Sequence, residues 1–294
     1  MTQTFRSLRF VRLATVLVLA AAAAEASPRA LSQEQLLARV SPAIVSLKVV
    51  LKTEFNMGGS IQEQESEVDA LGAVVDPTGL ILLWNSRLSA TRLMDAVQQM
   101  GEAENFKLKM TPTDFRVTIE GDTKEYRAFL AASDSELDLA FLQLEERPER
   151  PLVSVEFGRS RETRIGDTVI GVARLSPAFD RAAFFDTGRI AGRIAKPAQA
   201  FILDASPALL GLPVFDLEGR AVGAVATVLS RVSEPATQGG DMMSYFALGR
   251  SRMESGPLGV FLLPGERVKA LIAAARLRAA ELLAERGAPA LPTQ

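Results

Sequence analysis

The alternation of hydrophobic and polar positions predicts short β-strands over most of the chain. Turn sequences such as Asp76-Pro77-Thr78-Gly79 separate segments rich in β-branched residues. Strands are predicted at 43–53, 68–75, 80–84, 115–120, 125–132 and 139–144, and again at 152–157, 167–174, 183–194, 199–204, 213–216, 221–229 and 258–263. The polar segment 54–66 is interpreted as a loop. Two runs of about six strands predict an all-β molecule built from two small barrels.

Three segments have helical periodicity instead. They are a short N-terminal helix at about 33–40, an inserted helix at about 89–104 and a C-terminal helix at 265–286. Ser32 and Gln35 have the spacing of a capping box, and Gly287 is a suitable C-cap for the last helix. We interpret the apolar faces of the last two helices as surfaces that dock onto the barrels.

The charged, proline-flanked segment 145–151 is the best internal boundary. It divides the chain into an N-terminal barrel half at 31–147 and a C-terminal barrel half at 151–264. The C-terminal helix and a tail at 287–294 follow.

Residues 1–26 have the pattern of a secretory signal peptide. Three arginines precede the apolar run 13–24, and Ala24-Glu25-Ala26 has the small-x-small form of a cleavage site. An uncleaved membrane anchor is the alternative, although the run is shorter than the ~20 residues that span a bilayer. No other segment is expected to enter a membrane.

Composition limits the possible chemistry. The 294 residues include no Cys and no His, and the formal net charge is −2. Disulfides, a Cys nucleophile and Cys or His metal sites are therefore excluded, and we predict no metal and no cofactor. No basic stripe suggests nucleic acid. Export without disulfides is typical of a bacterial envelope compartment, so we predict the periplasm.

Five segments, in this order, resemble the HtrA/Deg branch of the trypsin-like serine proteases. They are 41–45 (SPAIV), 71–82 (LGAVVDPTGLIL), 137–140 (LDLA), 211–219 (GLPVFDLEG) and 259–264 (GVFLLP). The resemblance covers roughly residues 40–285, and we expect no PDZ domain. It implies two perpendicular six-stranded β-barrels with the active site in the cleft between them.

The resemblance also assigns the positions of the catalytic triad. The family's His, seven residues after the turn glycine Gly79, falls on Ser86, and its Asp falls on Asp138. The nucleophile position, three residues before Pro213, holds Leu210. A Ser hydroxyl cannot replace imidazole as a general base near neutral pH, and Leu has no nucleophilic atom. The triad is thus degenerate, and we predict that the chain is not an enzyme.

The neighbouring oxyanion loop is degenerate too, with Ala208, Leu209 and a single surviving glycine, Gly211. Ser206 is rejected as a substitute nucleophile, because it lies seven residues before the proline and has no base. A Ser-Lys dyad is rejected because no lysine is expected to point into the cleft. Trp84 is expected to pack across the cleft.

The strand that follows this loop is expected to offer an edge to which peptides add, formed by Val225, Ala226, Thr227 and Val228. Our first hypothesis is a catalytically inactive, periplasmic pseudoprotease that binds or scaffolds a polypeptide or envelope-protein partner. The alternatives are a diverged serine-type endopeptidase with a non-standard active site, and a structural subunit. A homo- or hetero-oligomer is possible in each case.

Overall fold

The computed structural model describes residues 30–57, 60–91, 94, 106–158, 162–196, 199–229 and 258–287. The predicted signal peptide, most of the inserted helix and nearly all of the tail lie outside these residues. At the start of the predicted inserted helix, the Met94 N–H donates a helical hydrogen bond to the Ala90 carbonyl (2.9 Å).

Twelve described strands form two closed antiparallel barrels. The first barrel contains β1 (Ile44–Met57), β2 (Ser60–Asp76), β3 (Leu80–Trp84), β4 (Phe106–Thr118), β5 (Glu125–Asp134) and β6 (Leu139–Leu144). The second contains β7 (Thr168–Arg174), β8 (Ala183–Ile194), β9 (Ala200–Asp204), β10 (Pro213–Phe215), β11 (Ala221–Leu229) and β12 (Leu258–Pro264). Their orders are β1-β2-β3-β6-β5-β4 and β10-β11-β12-β9-β8-β7. The predicted double barrel is confirmed.

Alternating side chains fill each barrel. One apolar cluster, which includes Val45, Leu47, Ile81 and Leu142, lies inside the first barrel. A second cluster begins on the other faces of β3 and β6 and continues into the second barrel without a break. The two barrels therefore share an apolar, closely packed interface, which holds the cleft residues in register.

Helix α1 (Gln33–Val40) forms where its capping box predicts. The Gln35 N–H donates to Ser32 Oγ (3.1 Å), and the Ser32 N–H donates to Gln35 Oε1 (3.0 Å). Leu36 and Val40 are buried against the barrels.

Helix α2 (Gly265–Glu285) packs against both barrels, contacting β5 and β6 of the first and β11 and β12 of the second. Its buried face contains Val268, Ile272, Ala275, Ala279 and Leu283. Gly287 follows with φ 70°, as expected of a C-cap glycine. No helix among the described residues is long and apolar enough to cross a membrane.

One strand prediction and one loop prediction are wrong. Residues 152–157 do not form a strand, because only Phe157 makes an isolated bridge, with Ala221. The segment is instead an extended connector after Pro151.

The predicted loop 54–66 is also wrong, because β1 and β2 continue through it as a paired ladder from Ile44↔Ala73 to Met57↔Ser60. Its charged side chains are exposed and find cross-strand partners, such as Lys52 with Glu63 (2.9 Å). Pairing therefore outweighs the low strand propensity of Glu and Gln.

Candidate functional site

The carboxylate of Asp138 is the centre of the site. Asp138 lies in the turn between β5 and β6 with φ 57°, and it is fully buried. Its carboxylate accepts hydrogen bonds from Trp84 Nε1 (2.5 Å), from Ser86 Oγ (2.8 Å to each oxygen) and from Thr227 Oγ1 (2.6 Å). Neutral donors thus replace the water that this anion loses on burial.

These donors come from both barrels. Trp84 ends β3, Ser86 lies in the 3-10 turn Asn85–Arg87, and Thr227 lies in β11 of the second barrel. The backbone helps to fix the turn, since the Asn85 N–H donates to the Asp138 carbonyl (2.9 Å). Asp138 therefore joins the two barrels at the position where the family resemblance expects the cleft.

The loop that carries Leu210 begins with the 3-10 turn Pro207–Leu209, capped by Ser206. Its amides donate within the chain: Ala208 to Ser206 Oγ (3.1 Å), Leu209 to the Ser206 carbonyl (3.2 Å), Leu210 to the Pro207 carbonyl (3.2 Å) and Gly211 to the Val225 carbonyl (2.8 Å). Since each of these four amides already has an acceptor, they form no shared pocket for an oxyanion in this conformation.

Gly211 brings this loop against the first barrel. Its φ is 78°, and a Cβ built on it would lie 2.2 Å from the backbone nitrogen of Trp84. Only glycine fits such an approach. The structure thus joins Ser86 and Asp138 directly and places the loop of Leu210 against the end of β3.

The four residues of the predicted peptide edge differ in the direction of their backbone groups. The Val225 N–H donates to the Leu212 carbonyl (2.9 Å), and its carbonyl accepts from Gly211. Because backbone groups alternate sides along a strand, those of Ala226 and Val228 point toward β12, which pairs with both residues. Of the four residues, Thr227 has its backbone groups on the same side of β11 as those of Val225, and it lies past the point where the loop contacts β11.

Sequence reasoning did not identify Trp84 and Thr227 as donors to Asp138. The sequence predicts Thr227 as part of the peptide edge, and it stands as a single polar residue in the apolar strand AVGAVATVL. A buried hydroxyl in such a strand needs a partner, and that signal points to Asp138. Among the described residues, no group of three or more Asp and Glu side chains is arranged to hold a metal ion.

Comparison with known proteins assigns the family. The sequence profile of the trypsin-like peptidase domain matches residues 72–223, just over half of the 294 residues. The chain belongs to the trypsin-like peptidase family. The matched region of this trypsin-like chain runs from β2 to β11 and includes Ser86, Asp138 and Leu210.

Two known proteins that this chain is similar to are named as proteases. A probable periplasmic serine endoprotease, DegP-like, from Rickettsia prowazekii (strain Madrid E) is 47% identical over 51 residues, which are 17% of this chain and 10% of that protein. The solved structure of the HtrA-type protease AlgW with a tripeptide has a TM-score of 0.50 at 16% identity, covering 83% of this chain and 63% of that chain. The trypsin-like chain thus spans less than two thirds of either relative, and the structural match supports the fold alone.

These comparisons correct one prediction. The expectation that the chain is not an enzyme is wrong, because the matched family is a peptidase family and both relatives are named as proteases. Ser86 and Leu210 still differ from the residues that the family resemblance implies.

Proposed function

We propose that this protein is an HtrA-type member of the trypsin-like family that binds polypeptide in the cleft between its two barrels. The observation that carries the proposal is the Asp138 carboxylate, which is hydrogen-bonded by Ser86 of the first barrel and Thr227 of the second. A buried anion held from both sides keeps the two walls of the cleft in register. A binding site that uses both walls of the cleft depends on such a junction.

The walls suit an extended, apolar peptide. Leu210 is partly buried and packs on the apolar cluster that the barrels share. Thr227 marks the part of β11 whose backbone points away from β12. Strand addition along β11 would supply main-chain bonds, and Leu210 would contact an apolar side chain.

The bacterial periplasm is part of the same proposal. The support comes from the name of the Rickettsia relative and from the predicted signal peptide at 1–26. Expression of the full chain with a reporter enzyme at its C-terminus, followed by cell fractionation, tests this location.

Peptide binding is tested with a fluorescein-labelled, seven-residue apolar peptide and fluorescence anisotropy. We expect Leu210→Asp to weaken binding by at least about tenfold, because a charge in the cleft must be desolvated when the peptide binds. Leu217→Asp is the matched control, since Leu217 is 46% exposed in the turn before β11. Equal binding by both variants would contradict the proposal, as would no binding by the natural chain.

A second candidate is peptide hydrolysis by a diverged serine-type site. The comparisons favour it, and so does the contact of Ser86 Oγ with the Asp138 carboxylate at 2.8 Å. In this reaction Ser86 Oγ attacks the scissile carbonyl carbon while its proton passes to Asp138. Asp138 then returns that proton to the leaving amine, and water hydrolyses the acyl-enzyme.

Such a reaction would be slow. General acid–base catalysis contributes about 10²–10⁴-fold, and a carboxylate is a poorer base for a hydroxyl than imidazole is. The loop amides at 208–211 would also have to leave their internal acceptors before they could stabilise an oxyanion.

Labelling with a fluorophosphonate probe, together with casein hydrolysis, tests this candidate. Ser86→Ala should abolish both signals. Ser206→Ala should leave them unchanged, because the Ser206 hydroxyl caps a turn and, among the described residues, contacts no carboxylate. If the signals follow Ser206 instead, the assignment of Ser86 is wrong. If the natural chain shows neither signal, hydrolysis is rejected while the binding proposal stands.

A further inference from the structure

Three strands of the first barrel extend beyond it as an arm, made of 50–57 in β1, 60–71 in β2 and 106–115 in β4. β1 lies in the middle and pairs with both neighbours over this length. β2 pairs with β3 only from Gly72 to Asp76, and β4 pairs with β5 only from Arg116 to Thr118. The arm therefore has two outer edges, one on β2 and one on β4.

The β4 edge is closed. The Leu108 N–H points outward and donates to Met94 Sδ (3.3 Å). Pro112 lies on the same edge, four positions after Leu108, and has no N–H to offer a further strand. These are two ways in which proteins prevent pairing at a sheet edge.

The β2 edge is open over a longer stretch. Residues 61–71 contain no Pro and no Gly. Within the described part of the chain, the backbone groups of residues 61–71 that point away from β1 make no hydrogen bond. An edge of this length is a template for another strand.

The direction of the backbone groups identifies which residues form the open edge. Thr113 Oγ1 donates to the Val50 carbonyl (3.3 Å), so Val50 faces β4 and its neighbour Leu51 faces β2. The partner of Leu51 is Ser66, which therefore faces β1. By alternation, the backbones of Glu65 and Glu67 face outward.

The outward positions of β2 are acidic. Glu63, Glu65, Glu67 and Asp69 follow one another at every second position, so their side chains share one face of the arm. Lys52 pairs with Glu63 (2.9 Å). Among the described residues, the other three carboxylates make no ion pair within 4 Å.

The negative charge of these side chains determines which kind of strand can pair with the open edge of β2. A second copy of β2 would place carboxylate against carboxylate across the new ladder, which is destabilising. A strand with Lys or Arg at alternate positions would place each cation opposite or diagonal to a carboxylate. We propose that the open edge of β2 binds an extended, basic polypeptide by strand addition, independently of the cleft at Asp138.

The probe is a labelled nine-residue peptide of alternating Lys and Thr, added to the full chain at low salt. One control peptide has Glu in place of Lys. A second control keeps the lysines but carries N-methyl groups on the amides of one edge, which removes its ladder bonds and keeps its charge. We expect anisotropy to show binding of the first peptide and at least about tenfold weaker binding of both controls.

Two variants test whether the peptide binds to β2. Glu65→Pro removes an outward N–H and a carboxylate without removing a bond to β1, and it should weaken binding at least about tenfold. Glu54→Gln is the matched control, because Glu54 is a carboxylate of the same face on the central strand. It should change binding by less than about twofold. Circular dichroism confirms that both variants are folded.

Three outcomes would overturn the proposal. Equal binding of the N-methylated peptide would mean attraction by charge alone. Equal loss in Glu65→Pro and Glu54→Gln would mean that the edge is not used. A dimer mass in light scattering that Glu65→Pro converts to a monomer would mean that a second copy fills the edge. Ser86→Ala should bind the basic peptide normally, which separates this test from that of the cleft.

Discussion

At the residue scale, Asp138 combines an unusual backbone with a buried anion. Asp138→Ala leaves three donors without their acceptor, so we expect a loss of about 3 kcal/mol or more in the free energy of unfolding. Alanine is also strained at φ 57°, whereas asparagine tolerates that region. Asp138→Asn keeps one acceptor and should lose about 1–2 kcal/mol. Urea unfolding measures both values.

The control for this pair is Asp204, an exposed aspartate at the end of β9. Asp204→Ala and Asp204→Asn should both change the free energy of unfolding by less than about 0.5 kcal/mol. Equal losses for Asp138→Ala and Asp138→Asn would show that the charge, and not the set of acceptors or the backbone, dominates the junction.

Tyr126 gives a residue-scale prediction in alkali. Its hydroxyl donates to Asp122 Oδ2 (2.7 Å), and this bond together with burial raises the pKa of Tyr126 to about 12 from 10.0. The same bond lowers the pKa of Asp122. The folded state therefore holds the phenolic proton more tightly than the unfolded chain, and the resulting stability is full below pH 10 and is lost as the pH rises toward about 12.

Tyr126→Phe tests this linkage. The variant should lose about 1 kcal/mol at neutral pH, and its unfolding free energy should fall less steeply than that of the natural chain between pH 10 and 12. The measurement is urea unfolding at a series of pH values. If the unfolding free energies of the two proteins fall in parallel across this pH range, the raised pKa of Tyr126 does not contribute to stability and the prediction is wrong.

At the element scale, the contact of Arg276 with Asp76 helps to fix helix α2 to the first barrel beside its apolar face. Arg276 Nε lies 3.1 Å from Asp76 Oδ2, and the Asp76 side chain is only 7% exposed. Asp76 also accepts from the Thr78 N–H and hydroxyl, so it shapes the β2–β3 turn. We expect Arg276→Ala to lower the unfolding free energy by about 1 kcal/mol, since the arginine is half-exposed.

Arg278 is the matched control on the same helix. It pairs with Glu281 (2.9 Å), and both side chains are exposed. Arg278→Ala should change the unfolding free energy by less than about 0.5 kcal/mol. Thermal unfolding of both variants in low and high salt separates a real contact at Asp76 from a general effect of charge.

The sequence predicts elements best where a local rule decides them. The capping box at Ser32 and Gln35 locates α1, and the apolar stripe locates α2 to within about one residue at its end. The arm is missed because its strands are polar on exposed faces, so no hydrophobic alternation marks residues 54–66. Its pairing depends on contacts between strands, which a single segment does not reveal.

The site is predictable in part for the same reason. Ser86 and Asp138 are located by family motifs, and the structure shows them in hydrogen-bond contact. The bond from Thr227 to Asp138 joins residues 89 positions apart in different barrels, so spacing along the chain cannot indicate it. The Gly211 amide of the loop likewise depends on Val225, which lies in another strand, whereas the other three loop amides find their acceptors within the loop itself.

At the scale of the whole molecule, Arg174 joins the barrels on another side of their interface. Arg174 ends β7 of the second barrel, and its side chain is 6% exposed. Its guanidinium donates to the carbonyls of Ile44 (2.7 Å) and Ser41 (2.6 Å) and to Glu120 Oε2 (2.6 Å), all in the first half of the chain. Arg174 Nη1 also donates to the Arg181 carbonyl (3.2 Å), so the guanidinium serves four acceptors. Lysine has three donors on a single nitrogen and cannot reproduce the arrangement.

Arg174→Met should therefore uncouple the two barrels. The carbonyls of the buried residues Ser41 and Ile44 lose their donor, which should lower the free energy of unfolding by about 3 kcal/mol. Arg193→Met is the control, because Arg193 is exposed on β8, and it should lower the free energy of unfolding by less than about 1 kcal/mol. Trp84 is the only tryptophan and lies at the barrel junction, so its fluorescence reports that interface, while circular dichroism reports both barrels. In the natural chain and in Arg193→Met the two signals should change together in urea. In Arg174→Met, the Trp84 fluorescence should change at a lower urea concentration than the circular dichroism signal. If the two curves coincide in this variant, the shared apolar cluster alone makes the barrels unfold together.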